Sequence, residues 1–238
     1  MENQHKILAS VILASGLACA GFFPGYYYYK THYNSRVVTV KGLAEQDVTA
    51  DMGIWNIQFT VNGNNLSEVQ RQIEDQAAMV TQFLENRKFT KDEISVDRIE
   101  TNDLMANPYR DTNSAEASRF ILTQNITVRS TKVSQIAEAM SQTNELIGKG
   151  IIFSSQNASY FFTKLNEVKP ALLKKSTQNA NAAAIEFAEN SHSKVGKIYT
   201  ANQGVISIQP RDDPNASETS QINKKIRVVS TITYLLED

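Results

Sequence analysis

Cysteine and histidine are scarce in this 238-residue chain, and their scarcity excludes two kinds of site. Cys19 is the only cysteine, so the residues that follow it cannot form an internal disulfide or a thiolate metal site. The three histidines, His5, His32 and His192, lie far apart in the sequence, which argues against a histidine metal cluster. We therefore expect no metal and no other cofactor.

The chain also lacks an excess of charge of either sign. Its 24 basic and 25 acidic side chains leave a formal net charge of −1, which removes the electrostatic basis for binding nucleic acid. The patterns GxxxxGKS/T, GxGxxG and HExxH are absent, so no phosphate-binding loop or zinc-protease helix is predicted. With 41% hydrophobic and 21% charged residues, the composition is typical of a folded protein and argues against disorder.

One stretch, between Lys6 and Lys30, has no charged residue at all. A helix of about 20 residues spans the hydrocarbon core of a bilayer, and Ile7–Tyr29 supplies that length. Its tyrosine run falls where amphipathic rings favour the membrane interface. The sequence therefore predicts a single-pass anchor over residues 1–30 with the lipid bilayer as its partner, contacted by Ile7, Leu8, Val11, Ile12, Leu13, Leu17, Phe22, Phe23, Tyr26 and Tyr27.

Two other interpretations of this segment are open besides a retained anchor. As a cleaved signal peptide, it would be cut at Ala18-Cys19-Ala20. As a lipoprotein signal it would be acylated at Cys19, although Leu17 stands one place away from the usual position in that motif. If the N-terminus stays inside, all three export the rest of the chain. We expect a bacterial inner-membrane protein with a linker at 31–36 and a periplasmic domain at 37–238.

Strand and helix patterns follow one another along the exported part. Trp55, Ile57, Phe59 and Val61 alternate with polar residues, which is typical of a strand with one buried face. Apolar residues recur every three or four positions over 66–84, which predicts an amphipathic helix. Further strands are predicted at 37–40, 94–99, 120–128, 151–153, 160–162, 205–208 and 226–234, further helices at 133–147 and 170–190, and polar loops at 102–118 and 211–223.

This order predicts an α+β fold, with a mainly antiparallel sheet that carries amphipathic helices on one face, preceded by the N-terminal transmembrane helix. The helix that begins near Pro170 would hold that proline in its first turn, where a missing N–H is tolerated. The succession strand, strand, helix, strand occurs roughly twice, which is compatible with two similar halves.

Four segments, taken in order, carry a resemblance to a known family. The opening pair of strands corresponds to VVTVKGLAEQDVTADMGIWNIQFTVNG, and the central strand and helix correspond to SRFILTQNITVRSTKVSQIAEAM. The long Ala-rich helix and the turn after it correspond to ALLKKSTQNANAAAIEFAENSHSKVGKI. The closing strand corresponds to KKIRVVSTITYLLED. Over Val37–Asp238 the chain thus resembles the SIMPL-domain family of envelope proteins. The resemblance implies an exported domain, a homo-oligomeric ring or channel-like assembly in some members, and a link to oxidative-stress defence. It implies no catalytic residues.

Catalytic candidates are few. His192 is the only histidine after the linker, and it lies in a polar helix exit where an exposed position is expected. Ser191 and Lys194 match Ser-x-x-Lys, but at the end of a helix, whereas the acylating motif lies at a helix start. We therefore expect a protein that is not an enzyme. An unrecognised carboxylate or lysine site, with Asp212 or Lys194, is the remaining enzymatic hypothesis.

Interaction surfaces have better candidates. Trp55, Tyr160 and Phe161 form an exposed aromatic interface unless they fill the core, and the long polar loop that contains Arg211 and Asp212 is a second candidate. We expect an anchored protein that self-associates and supports envelope or oxidative-stress tolerance. The alternative is a monomeric module that binds another envelope protein, which the sequence does not identify.

Overall fold

The computed structural model describes residues 2–32, 36–106, 118–213 and 215–237, with the side chains of 2–12 and 29–32 outside the description. Its helices are α1 (Glu2–His32), α2 (Leu66–Asn86), α3 (Val133–Ser141), α4 (Asn144–Ile147) and α5 (Leu165–Asn190). Its strands are β1 (Val37–Thr49), β2 (Met52–Gly63), β3 (Ile94–Val96), β4 (Glu100–Asp103), β5 (Phe120–Ser130), β6 (Phe153–Phe161), β7 (Lys194–Gln203), β8 (Ser207–Pro210) and β9 (Asn223–Glu237).

The chain divides into two compact units, each made from separate stretches of sequence. Unit 1 comprises Met1–Ala44, Ala171–Ile206 and Val228–Asp238. Unit 2 comprises Glu45–Pro170 and Ser207–Arg227. Because β1, α5 and β9 each contribute residues to both units, neither unit is a continuous segment of the chain.

Unit 2 contains a five-stranded antiparallel sheet centred on β2 and β5. The strand order is β3-β5-β2-β6, and β4 also pairs with β5. Trp55 of β2 lies opposite Val128 of β5 and Ala158 of β6, so its side chain shares a face with theirs. The odd-numbered residues from Trp55 to Val61 are all buried, as the alternation in the sequence predicts.

Helix α2 covers the apolar face of the five-stranded sheet. The stripe of α2 is buried through Val69, Ile73, Val80 and Leu84, and α2 begins where the side chain of Asn65 accepts a hydrogen bond from the Ser67 amide at 3.1 Å. The opposite face is polar: the Thr127 hydroxyl of β5 donates to the Asn56 side chain of β2 and accepts a hydrogen bond from Asn125 of its own strand. The amphipathic helix predicted over 66–84 therefore packs on the apolar face of this sheet.

In unit 1, α5 packs against a second sheet in which the strand order is β1-β9-β7. β8 of unit 2 pairs with the unit 2 residues of β9. The small core of unit 1 joins the alanine stripe of α5 to apolar residues of β1 and β9, namely Val40, Ala180, Ala184, Ile232 and Tyr234. Inside this contact the hydroxyls of Ser176 and Ser230 share a buried hydrogen bond of 2.7 Å. Small side chains on α5 allow the helix to approach the sheet closely.

The prediction of an α+β fold with antiparallel strands is confirmed, whereas several details differ. The strands form two sheets instead of one. The predicted strands at 151–153 and 160–162 are the two ends of β6, and β7 lies where a turn was expected. Helix α5 begins at Leu165, which places Pro170 beyond the first turn. β4 occupies part of the predicted loop at 102–118, of which residues 107–117 lie outside the described residues.

The predicted anchor forms helix α1, which continues through Pro24 and ends at His32, inside the predicted linker. Its aromatic residues contact one another, with 5.9 Å between the ring centroids of Phe22 and Tyr26. Among the residues described, no helix combines the length and the apolar character needed to cross a bilayer. Of the predicted lipid contacts, the side chains of Leu13, Leu17, Phe22, Phe23, Tyr26 and Tyr27 are exposed, and those of Ile7, Leu8, Val11 and Ile12 lie outside the description.

Candidate interaction surface

Two of the predicted interface aromatics are core residues. Trp55 is 0% exposed and Tyr160 is 6% exposed, because both project from the apolar face of the five-stranded sheet. The prediction that they form a surface is therefore wrong. Phe161, the next residue of β6, points to the other side of the sheet and is 37% exposed.

Arg211 and Asp212 are exposed as predicted but are bonded to each other. The Arg211 Nε donates to Asp212 Oδ1 at 2.7 Å, and the hydrogen bond from Arg211 holds the pKa of the Asp212 carboxyl below its ordinary value. The Asn223 side chain also donates to Asp212, and the Arg211 amide donates to the Asn223 carbonyl at 3.1 Å. These contacts close the base of the loop at 211–223, so both side chains serve its conformation.

Strand β7 is the most exposed strand of unit 1 and was missed by the sequence analysis. It pairs antiparallel with β9 along one edge, and within the described residues no strand pairs with its other edge. Ile198 is 54% exposed and Tyr199 is 65% exposed, at a point where the register between β7 and β9 shifts. A strand that is open on one edge and on both faces has no alternation of apolar and polar residues, which is why the sequence pattern did not reveal it.

A groove lies beside the start of β7, where the strand passes the last turns of α5. Its volume is about 320 Å³. The helix contributes Asn181, Ile185, Ala188 and Glu189, and the turn and strand contribute Ser193, Lys194, Val195 and Gly196. Ile185, which is 42% exposed, and Val195 give this groove an apolar component at the open edge of the sheet.

Val205 follows β7 and projects from unit 1. Immediately before it, the Gly204 amide donates to the Val229 carbonyl at 2.8 Å. A Cβ at position 204 would lie 2.6 Å from that carbonyl oxygen, so only glycine permits this approach. The side chain of Val205 is 89% exposed.

A buried lysine is the chemical group that the sequence analysis overlooked. Lys224 is 1% exposed, and its ammonium donates to the Glu218 carbonyl. Burial lowers the pKa of Lys224, and the nearby charge of Glu218 opposes that change. The signal was present in the sequence, because Lys224 lies two positions before Ile226 and therefore on the apolar face of β9. The amine lies in the interior and fixes the loop at 211–223.

The other enzymatic candidates lie on exposed segments. His192 is exposed at the end of α5, where its φ of 55° is the left-handed conformation of a helix C-terminus. Lys194 is exposed at the first position of β7. No group of three or more His, Cys, Asp or Glu residues suited to a metal ion occurs in the described part of the chain.

The family model named SIMPL, described as a protein of unknown function (DUF541), matches residues 38–234. No curated protein matches the chain. The matched range includes α5 and β7, so the exposed edge and its groove lie within it.

Proposed function

This chain belongs to the SIMPL family, whose function is unknown, and on that premise we propose that it is a membrane-anchored, non-enzymatic envelope protein that assembles with further copies of itself. The unpaired edge of β7 is the observation that supports this proposal most directly. Along its ten residues, one row of backbone groups has no strand partner among the residues that the structure describes, and Ile198 and Tyr199 are exposed beside it. An unpaired strand edge is a template for pairing with a strand of another chain.

A second copy is the occupant that this edge suits best. Two β7 strands that pair antiparallel about a two-fold axis continue the sheet, and this is a self-complementary contact. In the register centred on Tyr199, Lys197 lies opposite Ala201 of the second copy. In this register neither Lys194 nor Lys197 lies opposite a lysine of the second copy, where like charges would oppose the pairing.

Membrane anchoring would strengthen such an assembly. The uncharged stretch Ile7–Tyr29 supports a single pass through the bacterial inner membrane, with residues from 37 onward in the periplasm. Confinement to a membrane plane raises the effective concentration of one copy for another. A reporter fused after Asp238 tests the location: activity in the periplasm is expected, and activity in the cytosol alone would refute it.

The single cysteine of the chain makes the assembly directly testable. In a Cys19→Ser background, Tyr199→Cys or Ile198→Cys places a thiol at the centre of the β7 pair. Opposed Cα atoms in an antiparallel pair are about 4.5–5.5 Å apart, within the range that a disulfide spans. We expect rapid disulfide-linked dimers from one of these variants, and none from Asn56→Cys on the exposed polar face of β2.

Mass photometry of the detergent-solubilised full chain provides the independent measurement. Oligomers at micromolar concentration are expected, and a strict monomer would overturn the assembly proposal. Oligomers without cross-links at 198 or 199 would locate the contact elsewhere. Discrete adducts with a different protein after cross-linking in cells would favour a monomeric binding module.

The role in stress tolerance rests on the family resemblance alone. We expect a deletion strain to survive peroxide treatment less well than its parent, with rescue by the full chain. Rescue that persists in a variant that cannot assemble would separate the stress role from self-association. Activity screens of the exported domain that lose a signal on Asp212→Asn or Lys194→Ala would instead revive the enzymatic hypothesis.

A further inference from the structure

The unit 1 sheet has two different faces, and α5 packs on one of them. Val40 of β1 and Ile232 of β9 project toward α5 and belong to the small core. Burial alternates without a break along β1 from Val37 to Ala44, so the odd-numbered residues there project away from α5. On that side the hydroxyls of Thr39 and Thr233 share a hydrogen bond of 2.9 Å, which shows that β1 and β9 present one common surface.

This second surface, which we call the open face, consists of Val37, Thr39, Lys41 and Leu43 of β1 together with the odd-numbered residues 229–235 of β9. Val37 is 46% exposed and Leu43 is 39% exposed. The residues of β9 that take part are two apolar residues and two threonines, all half-buried. Lys41 is the only charged residue among them. The open face therefore combines exposed apolar side chains with hydroxyls and one cation.

The opposite side of unit 1 has a different chemistry. The exposed surface of α5 carries Lys175, Glu186 and Glu189, and the apolar contribution there includes the small Ala182. Carboxylates are unfavourable beside the anionic lipids of a bacterial membrane, whereas apolar side chains with a flanking lysine suit its interface. If either side of this sheet lies on a bilayer, the open face is favoured.

The tether holds unit 1 close to the predicted anchor. Helix α1 ends at His32, and the Leu236 amide of β9 donates to the Arg36 carbonyl at 2.8 Å, so only residues 33–35 lie between α1 and the sheet. A fully extended chain covers the four steps from His32 to Arg36 in about 14 Å. If Ile7–Tyr29 spans the bilayer, the start of β1 lies within about 20 Å of the lipid surface. The open face can reach that surface.

We infer that the open face lies on the surface of the membrane that holds the anchor, with Val37 and Leu43 in the headgroup region and the Lys41 ammonium beside lipid phosphates. The inference rests on the proposed anchoring, and it adds a second lipid contact and an orientation in which α5 faces away from the bilayer. The orientation also permits the proposed β7 pair. Two copies in one membrane share a two-fold axis along the membrane normal, which lays their continued sheet parallel to the bilayer.

Fluorescence quenching by nitroxide lipids tests this orientation in the full chain. In the Cys19→Ser background, single cysteines at Leu43→Cys, Ala182→Cys and Leu17→Cys carry an environment-sensitive fluorophore. The protein is reconstituted into phosphatidylethanolamine and phosphatidylglycerol vesicles with nitroxides at the headgroup or in the acyl chains. Headgroup nitroxides should quench position 43 at least about twofold more than position 182, because a helix about 10 Å across lies between them. Acyl-chain nitroxides should quench position 17 in the anchor.

A second variant separates contact through the open face from mere closeness to the anchor. With the fluorophore at Thr39→Cys, Leu43→Asp should lower headgroup quenching about twofold or more, because it replaces an apolar contact by a carboxylate. The matched control is Ala182→Asp, which adds the same charge on the exposed side of α5 and should leave quenching unchanged. Both positions are exposed, so both variants should keep the thermal stability of the parent protein.

The outcomes distinguish this inference from the proposed anchoring. If position 17 is quenched while positions 43 and 182 are quenched equally, or neither is quenched, the lipid contact of the open face is refuted and the anchor stands. Quenching at position 39 that Leu43→Asp leaves unchanged would also refute the contact. If position 17 is not quenched, the anchoring and the inference are both refuted.

Discussion

Gly42 of β1 lies directly against the backbone of Ser176 in α5. A Cβ at position 42 would stand 1.9 Å from the Ser176 carbonyl oxygen and 2.4 Å from the Ala180 amide nitrogen. Both are backbone atoms, so an added methyl group would have to displace the helix. The close packing of α5 on its sheet therefore requires glycine at this position.

Gly42→Ala is expected to lower the free energy of unfolding by about 3 kcal/mol or more, because the helix has to move away from β1. Urea denaturation followed by circular dichroism measures the change. The matched control is Gly148→Ala: Gly148 has φ −60°, and the nearest atom that a Cβ there would meet is the Glu145 carbonyl oxygen at 3.5 Å. This second variant should be neutral or slightly stabilising. Equal effects of both substitutions would contradict the close approach.

Glu93 connects β5 and the start of α3 to the turn that precedes β3. Its carboxylate accepts hydrogen bonds from the Ser130 hydroxyl at 2.6 Å, the Thr90 amide at 2.8 Å and the Lys132 ammonium at 3.0 Å. Burial alone would raise the pKa of Glu93, but these hydrogen bonds outweigh it and lower the pKa from 4.5 to about 2.

The lowered pKa of Glu93 predicts a loss of stability in acid. The folded protein binds its proton more weakly than the unfolded chain, so the stabilisation is complete above about pH 4.5 and disappears as the pH falls toward about 2. Glu93→Gln should remove about 1–2 kcal/mol at neutral pH, after allowance for solvent screening, and flatten the acid limb of the stability curve. Glu145→Gln, in which the exposed carboxylate partner of Arg87 is removed, is expected to change stability by less than about 0.5 kcal/mol. An acid limb that Glu93→Gln leaves unchanged would rule out this role.

Two helices end in a left-handed residue that is not glycine. Lys88 follows α2 with φ 62° and His192 follows α5 with φ 55°. In each case the next amide bonds back to the helix, from Phe89 to Leu84 at 3.2 Å and from Ser193 to Ala188 at 2.9 Å. This is the geometry of a helix C-terminus in which glycine is favoured.

Lys88→Gly and His192→Gly should each raise the free energy of unfolding by about 0.5–1 kcal/mol, since glycine removes the steric strain of the left-handed conformation. Lys88→Ala is the matched control, because it removes the same side chain and retains the strain. Chemical denaturation midpoints, at an unchanged slope, measure the effect. A gain for alanine equal to that for glycine would assign it to the lost lysine side chain instead.

Lys224 predicts a change at alkaline pH. An amine with a lowered pKa binds fewer protons in the folded protein than in the unfolded chain, so its contribution to stability rises as the pH approaches 10.5, the ordinary value. The free energy of unfolding of the parent protein, minus that of Lys224→Met, should therefore increase with pH over this range. Lys194→Met, on the exposed β7, controls for the loss of one positive charge. A difference that stays constant with pH would contradict a buried amine.

The elements that could be predicted from sequence are those that bury one face. In β2 and α2, periodic apolar residues fit a period of two and of 3.6, and the predicted bounds agree with the structure to within a few residues. Strand β6 was split because its middle, Ser154–Ser159, is polar and half-exposed, so only its ends, near Phe153 and Tyr160, carried an apolar signal.

The division into two sheets and the interaction surface could not be predicted in the same way. Sheet membership depends on pairings between residues far apart in sequence, such as Ile57 with Ile126, and a local pattern does not contain them. The aromatic residues Trp55 and Tyr160 were offered as surface because size and apolarity alone do not distinguish a core from an interface. For Lys224 the residue type was misleading instead: the alternation along β9 places Lys224 on the buried face, although lysine is rarely buried.

The position of β9 between β1 and β7 has a consequence for biosynthesis. β1 emerges early from the ribosome, but β9, its neighbour in the sheet, is translated about 180 residues later. β1 therefore cannot pair until β9 has been synthesised. Until β9 has been synthesised, the edges of β1 and β7 that pair with it are exposed in the nascent polypeptide. We expect premature stop codons before Asn223 to yield a chain that proteases and chaperones recognise, even though most of its residues have been made.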